Sequence, residues 1–541
     1  MQRPGSPDEN SFFVHGGVKY AAIPSTALHT PGHIGSLRAV PKRLSTLTTV
    51  WPAGSPEAAR VLAPRTDVVD EAQEADGSFS QAVGPFNSYR REVVVHDDAS
   101  ATETTRYRLS IPWFGWLFAG ALRRSLRTRR PEGKGSPWWS PPDRLTERQA
   151  RTLALLAAAG MSATFANTLF TQTSTFVADS FGVSERGLGH AGAIVRLGVI
   201  ISLPFALLAD RLGRRRIIVL LAWLTPLCCA LGAAATNFPL LVASQTVGRP
   251  LGIALALLAA VAAAEEMPRN SRAYAVSVLA MAAGLGAAVA VAALRLTDLG
   301  PEAWRLVYLL SLVWLPVAFS LSRNLLETRR FETVHRIGVP LNRHRLALIA
   351  TVALVANLFV APASYFQNNY LDKVRGYSGG GIALFTLATG TPASLGLVVG
   401  GRIADLVGRR RLIAICSPIS TVCIVAAFFA SGPAMWAASL TGGFMAAMAY
   451  PAFAVYRAEL FPTGNRGTAN GLITATALLS GSAGILLVGY FRDQGYSYGS
   501  LMVVMALGQL AAAFVAYRWY PETAHLELEA MNPDDPVITE R

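Results

Sequence analysis

From about residue 152 to residue 520, apolar residues arrive in runs of about 20, separated by short polar turns. A run of that length spans ~30 Å of hydrocarbon at the ~1.5 Å helical rise per residue. The pattern predicts twelve membrane-spanning helices, at roughly 152–178, 188–209, 216–235, 238–264, 272–295, 301–323, 345–370, 380–404, 411–430, 433–458, 467–491 and 498–520. Upstream the pattern changes. Residues 1–80 are rich in Pro, Gly, Ser, Thr and Ala without a sustained period and read as mostly disordered. YRREVVVHD (from Tyr89) and TTRYRLSIP (from Thr104) alternate as strands do and are joined by DASATE, which predicts a hairpin. IPWFGWLFAGAL, Ile111–Leu122, is too short to cross. With two tryptophans and the arginines of ALRRSLRTRR behind it, residues 111–127 fit an interfacial helix on an anionic leaflet, or a local packing segment.

The spans come in two copies. ALLADRLGRRRIIV begins at Ala206 and GRIADLVGRRRLIA at Gly401, so Asp210 and Asp405 lie 195 positions apart (405 − 210). Glu265, Pro268 and Arg272 have the spacing E-x-x-P-x-x-x-R, which Glu459, Pro462 and Arg466 reproduce 194 positions later (459 − 265). Two unrelated landmarks repeating at almost the same offset indicate a duplicated unit. The expected fold is therefore an all-α membrane protein whose twelve transmembrane helices form two pseudo-symmetric six-helix bundles, 146–323 and 345–520. A largely disordered cytoplasmic extension (1–145) precedes them, a cytoplasmic linker (324–344) joins them, and a tail (521–541) follows.

Composition supports this reading: 52% of residues are hydrophobic and the mean hydropathy is +0.36. The net charge of +14 could indicate a nucleic-acid partner, but the arginines sit in turns between apolar runs, where they serve topology and headgroup contact. The turn after the second span carries Arg211, Arg214, Arg215 and Arg216; the turn after the eighth carries Arg409, Arg410 and Arg411. The segment between the sixth and seventh is also arginine-rich, whereas TNF, SGPA and DQGYSYGS on the other side are poor in charge. This bias predicts a multi-pass plasma-membrane protein with both termini in the cytoplasm. All four cysteines fall inside apolar runs, so neither a disulfide framework nor a thiolate metal site is expected. No signal peptide is read, since the first run long enough to span begins near Thr152.

Charge inside the spans is scarce and therefore informative. Arg196 and Arg249 lie well above the arginine-rich turns, and their repeat mates are Thr391 and Gly443, so the scaffold does not require them. They either line a central cavity or are tied to backbone carbonyls or snorkel outward. Asn167, Gln172, Asn357, Gln367 and Asn368 are candidates for solute contact, the alternative for an isolated amide being interhelical glue. Asp210 and Asp405 sit where a helix leaves the bilayer, so each carboxylate can face the positive end of a neighbouring helix and pair with an arginine. No span centre holds a carboxylate, and H-E-x-x-H, G-x-S-x-G and the phosphate-loop pattern G-x-x-x-x-G-K-[ST] are absent from the chain. An enzyme is not expected, nor a cofactor, metal or nucleic-acid partner.

Six plus six helices with D-R-x-G-R-R-R between the second and third, copied between the eighth and ninth, resemble the major facilitator superfamily of secondary transporters. GRPLG at Gly248–Gly252, AELFPTGNRGT from Ala458, LLETRRF from Leu325 and YPETAHLELEAM from Tyr520 are similar to its sugar-porter and metabolite–proton symporter branch. The resemblance implies a cytoplasmic latch made by Asp210, Arg211, Gly213, Arg214, Glu265 and Arg272 with Asp405, Gly408, Arg409, Glu459 and Arg466. The glycine that lets helices approach in this family is Gly401 in the second copy but Ala206 in the first, which predicts looser packing of the first latch. YFQNNY, Tyr365–Tyr370, resembles the polar segment that binds sugars in the branch. The first span has no Asp or Glu between Thr152 and Val177, where many proton-coupled relatives carry one. Protons thus remain a candidate coupling ion only through another group. The implied function is alternating-access transport, by a monomer in contact with membrane lipids, of a small polar or anionic organic solute of sugar or metabolite type. An exporter of drugs or metabolites and a non-transporting membrane sensor are the alternatives.

Overall fold

A computed structural model describes residues 44–128, 136–137, 139–183, 191–192, 194–195, 198–332, 341–377 and 379–532. Among these residues, 11 helices are long and apolar enough to cross a membrane. The first half contains α3 (Glu147–Phe181), α4 (Ser202–Leu212), α5 (Arg214–Ala230), α6 (Phe238–Glu266), α7 (Arg272–Ala293) and α8 (Trp304–Asn324), after α1 (Pro56–Val61) and α2 (Gly115–Arg127) of the extension. The second half contains α9 (Arg343–Tyr365), α10 (Gly379–Val407), α11 (Arg409–Ala427), α12 (Gly432–Glu459), α13 (Arg466–Asp493) and α14 (Tyr498–Trp519). The second expected span is represented by the turn Gly198–Ile201 and α4; most of its start lies outside the described residues.

Local chemistry sets the boundaries. Gly213 and Gly408 adopt φ of 104° and 119°, a conformation open to glycine, and turn the chain between α4 and α5 and between α10 and α11. The Asn237 side chain accepts from Leu240 N to start α6, and Asn342 accepts from Arg345 N to start α9. Within the first half α3 packs against α6 and α7; within the second, α9 packs against α13 and α10 against α12. Small residues permit these approaches: a Cβ on Gly286 would strike the Met161 backbone, and one on Gly400 the Met448 backbone. The ends of the helices that carry the arginine-rich turns define one side of the molecule, the basic face.

The extension departs from the sequence reading. Residues 1–43 lie outside the described residues, but the expected disorder does not extend to 80. Strands β1 (Ser45–Trp51), β2 (Asp70–Gln73), β3 (Phe79–Val83), β4 (Phe86–Val95) and β5 (Ala101–Leu109) form an antiparallel sheet in the order β1-β5-β4-β3-β2. The β4–β5 pair is the expected hairpin. The other strands escaped notice because each buries a single side chain, Leu47 in β1, Glu71 in β2 and Phe79 in β3. Inward positions of β5 are Ala101, Glu103, Thr105 and Tyr107, and Arg91 of β4 is fully buried. Arg91 pairs with Glu71 at 2.7 Å, donates to the Val61 carbonyl at the C-terminal end of α1 (Pro56–Val61) and stacks over Phe79 at 3.9 Å. Helix α2 (Gly115–Arg127) covers the sheet with Leu122 and Leu126, while Trp116 is 77% exposed and Arg123, Arg124 and Arg127 face outward. Local packing therefore accounts for one face of α2.

Candidate gate and solute cavity

The two repeated motifs meet across the seam between the halves at the basic face. At the first seam, Asp210 at the end of α4 accepts from the Gly467 and Thr468 amides, at 3.0 and 2.7 Å, and from the Thr468 hydroxyl at 2.7 Å. These are first-turn amides of α13, which have no partner within their own helix and carry its positive end. Arg214 lies 3.0 Å from Asp210 and 3.0 Å from Glu265, and also donates to the Thr463 carbonyl of the other half at 2.6 Å. Arg466 crosses the seam to Glu265 at 2.7 Å.

The second seam repeats the pattern with the halves exchanged. Asp405 accepts from the Ala273 and Tyr274 amides of α7 at 3.2 and 2.9 Å. Arg409 lies 3.0 Å from Asp405 and 2.6 Å from Glu459, and Arg272 crosses to Glu459 at 3.5 Å. All eight side chains are buried. Each seam combines two arginines with two carboxylates, so no net charge is withdrawn from water; removing any one member strands its opposite.

Close packing is kept by an exchange of residues. At the second seam Gly401 faces Ala273 and Ser277; at the first, Ala206 faces Gly467 and Gly471, their repeat mates. The glycines have moved to the opposite helix, so the expected looseness of the first latch does not follow. Arg211 is exposed and makes no hydrogen bond or ion pair among the described residues. Two further carboxylates join. Glu327 accepts from the Arg214 and Arg215 amides at 3.0 and 3.1 Å, and Glu522 from the Arg409 and Arg410 amides at 3.0 and 3.1 Å. Their neighbours Thr328 and Thr523 bond Glu265 and Arg409. The signal was available: Glu327 and Glu522 each begin an E-T pair, 195 positions apart (522 − 327).

A cavity of about 630 Å³ opens within the second half. Asn357 and Gln367 line it, beside Thr389, Thr421 and Gln509. Asn357 turns its Nδ2 back to the Ala353 carbonyl at 2.9 Å, and Gln509 donates to Ser417 at 3.0 Å. Arg457, on the last turn of α12, is the one charged side chain lining the cavity and makes no hydrogen bond or ion pair among the described residues. The nearest acid in sequence, Glu459, is engaged by Arg409 and Arg272. The sequence reading passed over Arg457 because it lies two residues from a latch motif and looks like one more basic-face arginine. Asn167, Gln172 and Arg249 do not line this cavity: Asn167 packs toward Gly252, and Arg249 is half-buried on α6 next to Pro250. Arg196 and the Asn368 side chain lie outside the described residues.

The proton:xylose symporter XylE, bound to 6-bromo-6-deoxy-D-glucose, superposes with a TM-score of 0.62 at 17% identity, over 71% of this chain and 98% of that one. The human organic anion transporter MFSD10 gives 0.58 at 15% identity, over 68% and 99%. FucP in the outward conformation gives 0.56 at 18% identity, over 68% and 98%. At these identities the likeness is one of fold. No curated protein matches the chain in sequence. The family model of the Major Facilitator Superfamily matches residues 155–388 and 346–532, and the chain belongs to that superfamily of transporters.

Proposed function

We propose that the protein carries a small organic anion across the plasma membrane by alternating access, with the second-half cavity as its solute site. Arg457 carries the reading. A half-buried guanidinium with no carboxylate partner among the described residues, at the basic-face end of a largely apolar cavity, is a ready partner for an anion. Its planar fork of donors suits a carboxylate, while Asn357, Gln367 and Gln509 supply hydroxyl or amide contacts to the remainder of the solute. The basic face is assigned to the cytoplasm from the arginine bias, with both termini on that side. The two seams then form the inner gate, closed in this conformation, and rocking of one half against the other breaks both. Protons are the candidate coupling ion; no carboxylate stands among the described residues lining the cavity, so coupling would run through a group elsewhere.

Uptake into proteoliposomes of a panel of radiolabelled aromatic and aliphatic carboxylates, alongside neutral hexoses, tests this. Arg457→Gln should lose carboxylate uptake by about 100-fold while reaching the membrane normally, and Arg457→Lys should recover only part, because one ammonium cannot reproduce bidentate pairing. Undiminished carboxylate uptake by Arg457→Gln would show that the arginine does not read the solute. An imposed pH gradient in the same vesicles decides the coupling. The folded extension is what a sensor's output module would need, and absence of flux for every solute would favour that alternative.

A further inference from the structure

Residues 136–137 and 139–144, on the way from the sheet domain to α3, lie across the second seam. From the second half, Arg402 of α10 donates to the carbonyls of Ser136 and Pro137, at 3.1 and 2.9 Å, and to that of Ser140. From the first half, Tyr274 of α7 donates its hydroxyl to the Trp139 carbonyl at 2.7 Å. Asn270 donates its amide and side chain to the Asp143 carboxylate at 3.1 and 3.0 Å, and the Asp143 amide donates to Ser271 at 3.1 Å. Both anchor groups lie beside the gate. Arg402 follows Gly401, the point of closest approach, and Tyr274 supplies one of the amides that Asp405 holds. Neither anchor is demanded by the duplicated scaffold, since the repeat mate of Arg402 is Leu207 (402 − 195) and that of Tyr274 is Thr468 (274 + 194).

The segment is short and stiff. Pro137, Pro141 and Pro142 fix φ along it, and the Ser136 hydroxyl bonds forward to the Pro141 carbonyl at 2.9 Å. Arg144 pairs with Asp70 of the sheet at 2.8 Å, and Asn87 of β4 donates to Glu147 of α3 at 2.9 Å, so the far end is held by a folded domain. A stiff tether bonded to both halves cannot follow them apart. Opening of the basic face must break its bonds to Arg402 or those to Asn270, Ser271 and Tyr274.

We propose that this segment is a strap that holds the basic-face gate shut, and that the N-terminal extension thereby sets the balance between the two access states. Docked, it favours the conformation closed on the basic face; whatever displaces the sheet domain releases that closure. The strap acts on the conformational equilibrium and is independent of which solute is carried.

Hydrogen–deuterium exchange on the full-length protein in lipid nanodiscs reads it. The Ala273 and Tyr274 amides exchange when the strapped seam opens, and the Gly467 and Thr468 amides when the other seam opens. Arg402→Ala cuts the strap from the second half, while Asp143→Ala only loosens its grip on the first, to which it stays joined through α3. Arg402→Ala should speed exchange at both seams by about tenfold, because a rocking motion opens the two together, and Asp143→Ala by less. The double variant should not exceed Arg402→Ala alone, since a strap cut from one half no longer bears load. Unchanged exchange in Arg402→Ala would overturn the proposal. So would faster exchange confined to Ala273 and Tyr274, which would mark local fraying, or additive effects in the double variant, which would mark two unrelated contacts.

Discussion

Single carboxylates at the seams carry unequal loads. Asp210 collects three hydrogen bonds from the other half and Asp405 two, and each also faces an arginine of its own half. An asparagine at either position keeps one acceptor oxygen and turns an NH2 donor toward amides or a guanidinium that also donate. Asp210→Asn should therefore raise the population open on the basic face by about 5- to 30-fold, equivalent to about 1–2 kcal/mol, and Asp405→Asn by less. Exchange at the four seam amides measures both, and equal effects would remove the argument from bond number. Glu327 and Glu522 show what residue-level reading misses. They act on backbone amides at the start of α5 and α11, a role that charge pairing does not reveal, and only their shared offset points to them.

At the level of helices, the glycine exchange between the seams defines a testable unit. A Cβ on Gly401 would come within 2.8 Å of the Ala273 carbonyl and 3.0 Å of Tyr274 Cα, and closer still to the Ser277 hydroxyl. Overpacking of this kind costs about 1–3 kcal/mol. Gly401→Ala should force the second seam apart and speed exchange there. Adding Ala273→Gly and Ser277→Gly rebuilds the arrangement of Ala206, Gly467 and Gly471 and should restore slow exchange; failure of that rescue would mean the seams are not interchangeable. The helices themselves were legible because twenty apolar residues in a row admit few other structures. The ion-pair cluster at each seam was legible because the duplication printed it twice. The hairpin was legible and the rest of the sheet was not, because β1, β2 and β3 each bury a single side chain, Leu47, Glu71 and Phe79, which leaves a period-2 search nothing to count. The cavity was half legible: Asn357 and Gln367 belong to a polar run that stands out, whereas Arg457 hides among arginines whose work is topological.

For the molecule as a whole, the assignment of sides rests on the arginine bias, and the fold shows where to test it. Helix α11 begins at Arg409 on the basic face and ends at Ala427, so Ser431, which precedes α12, lies on the opposite face. Helix α13 begins at Arg466 beside the first seam and ends at Asp493, which puts Gln494 on that opposite face too. Both positions are exposed, and the Ser431 side chain caps no helix, so a cysteine at either costs little. On the basic face, Gly213 is a poor reporter, being buried at φ 104°. Arg211 is exposed and outside the gate network, and serves better. In whole cells, Ser431→Cys and Gln494→Cys should react with a membrane-impermeant maleimide, and Arg211→Cys only after permeabilisation. Two of the native thiols, Cys229 and Cys416, are buried and the other two half-buried, so the unmodified protein supplies the background. Labelling of Arg211→Cys in intact cells, with Ser431→Cys and Gln494→Cys silent, would invert the topology. It would then place the sheet domain and the strap outside the cell.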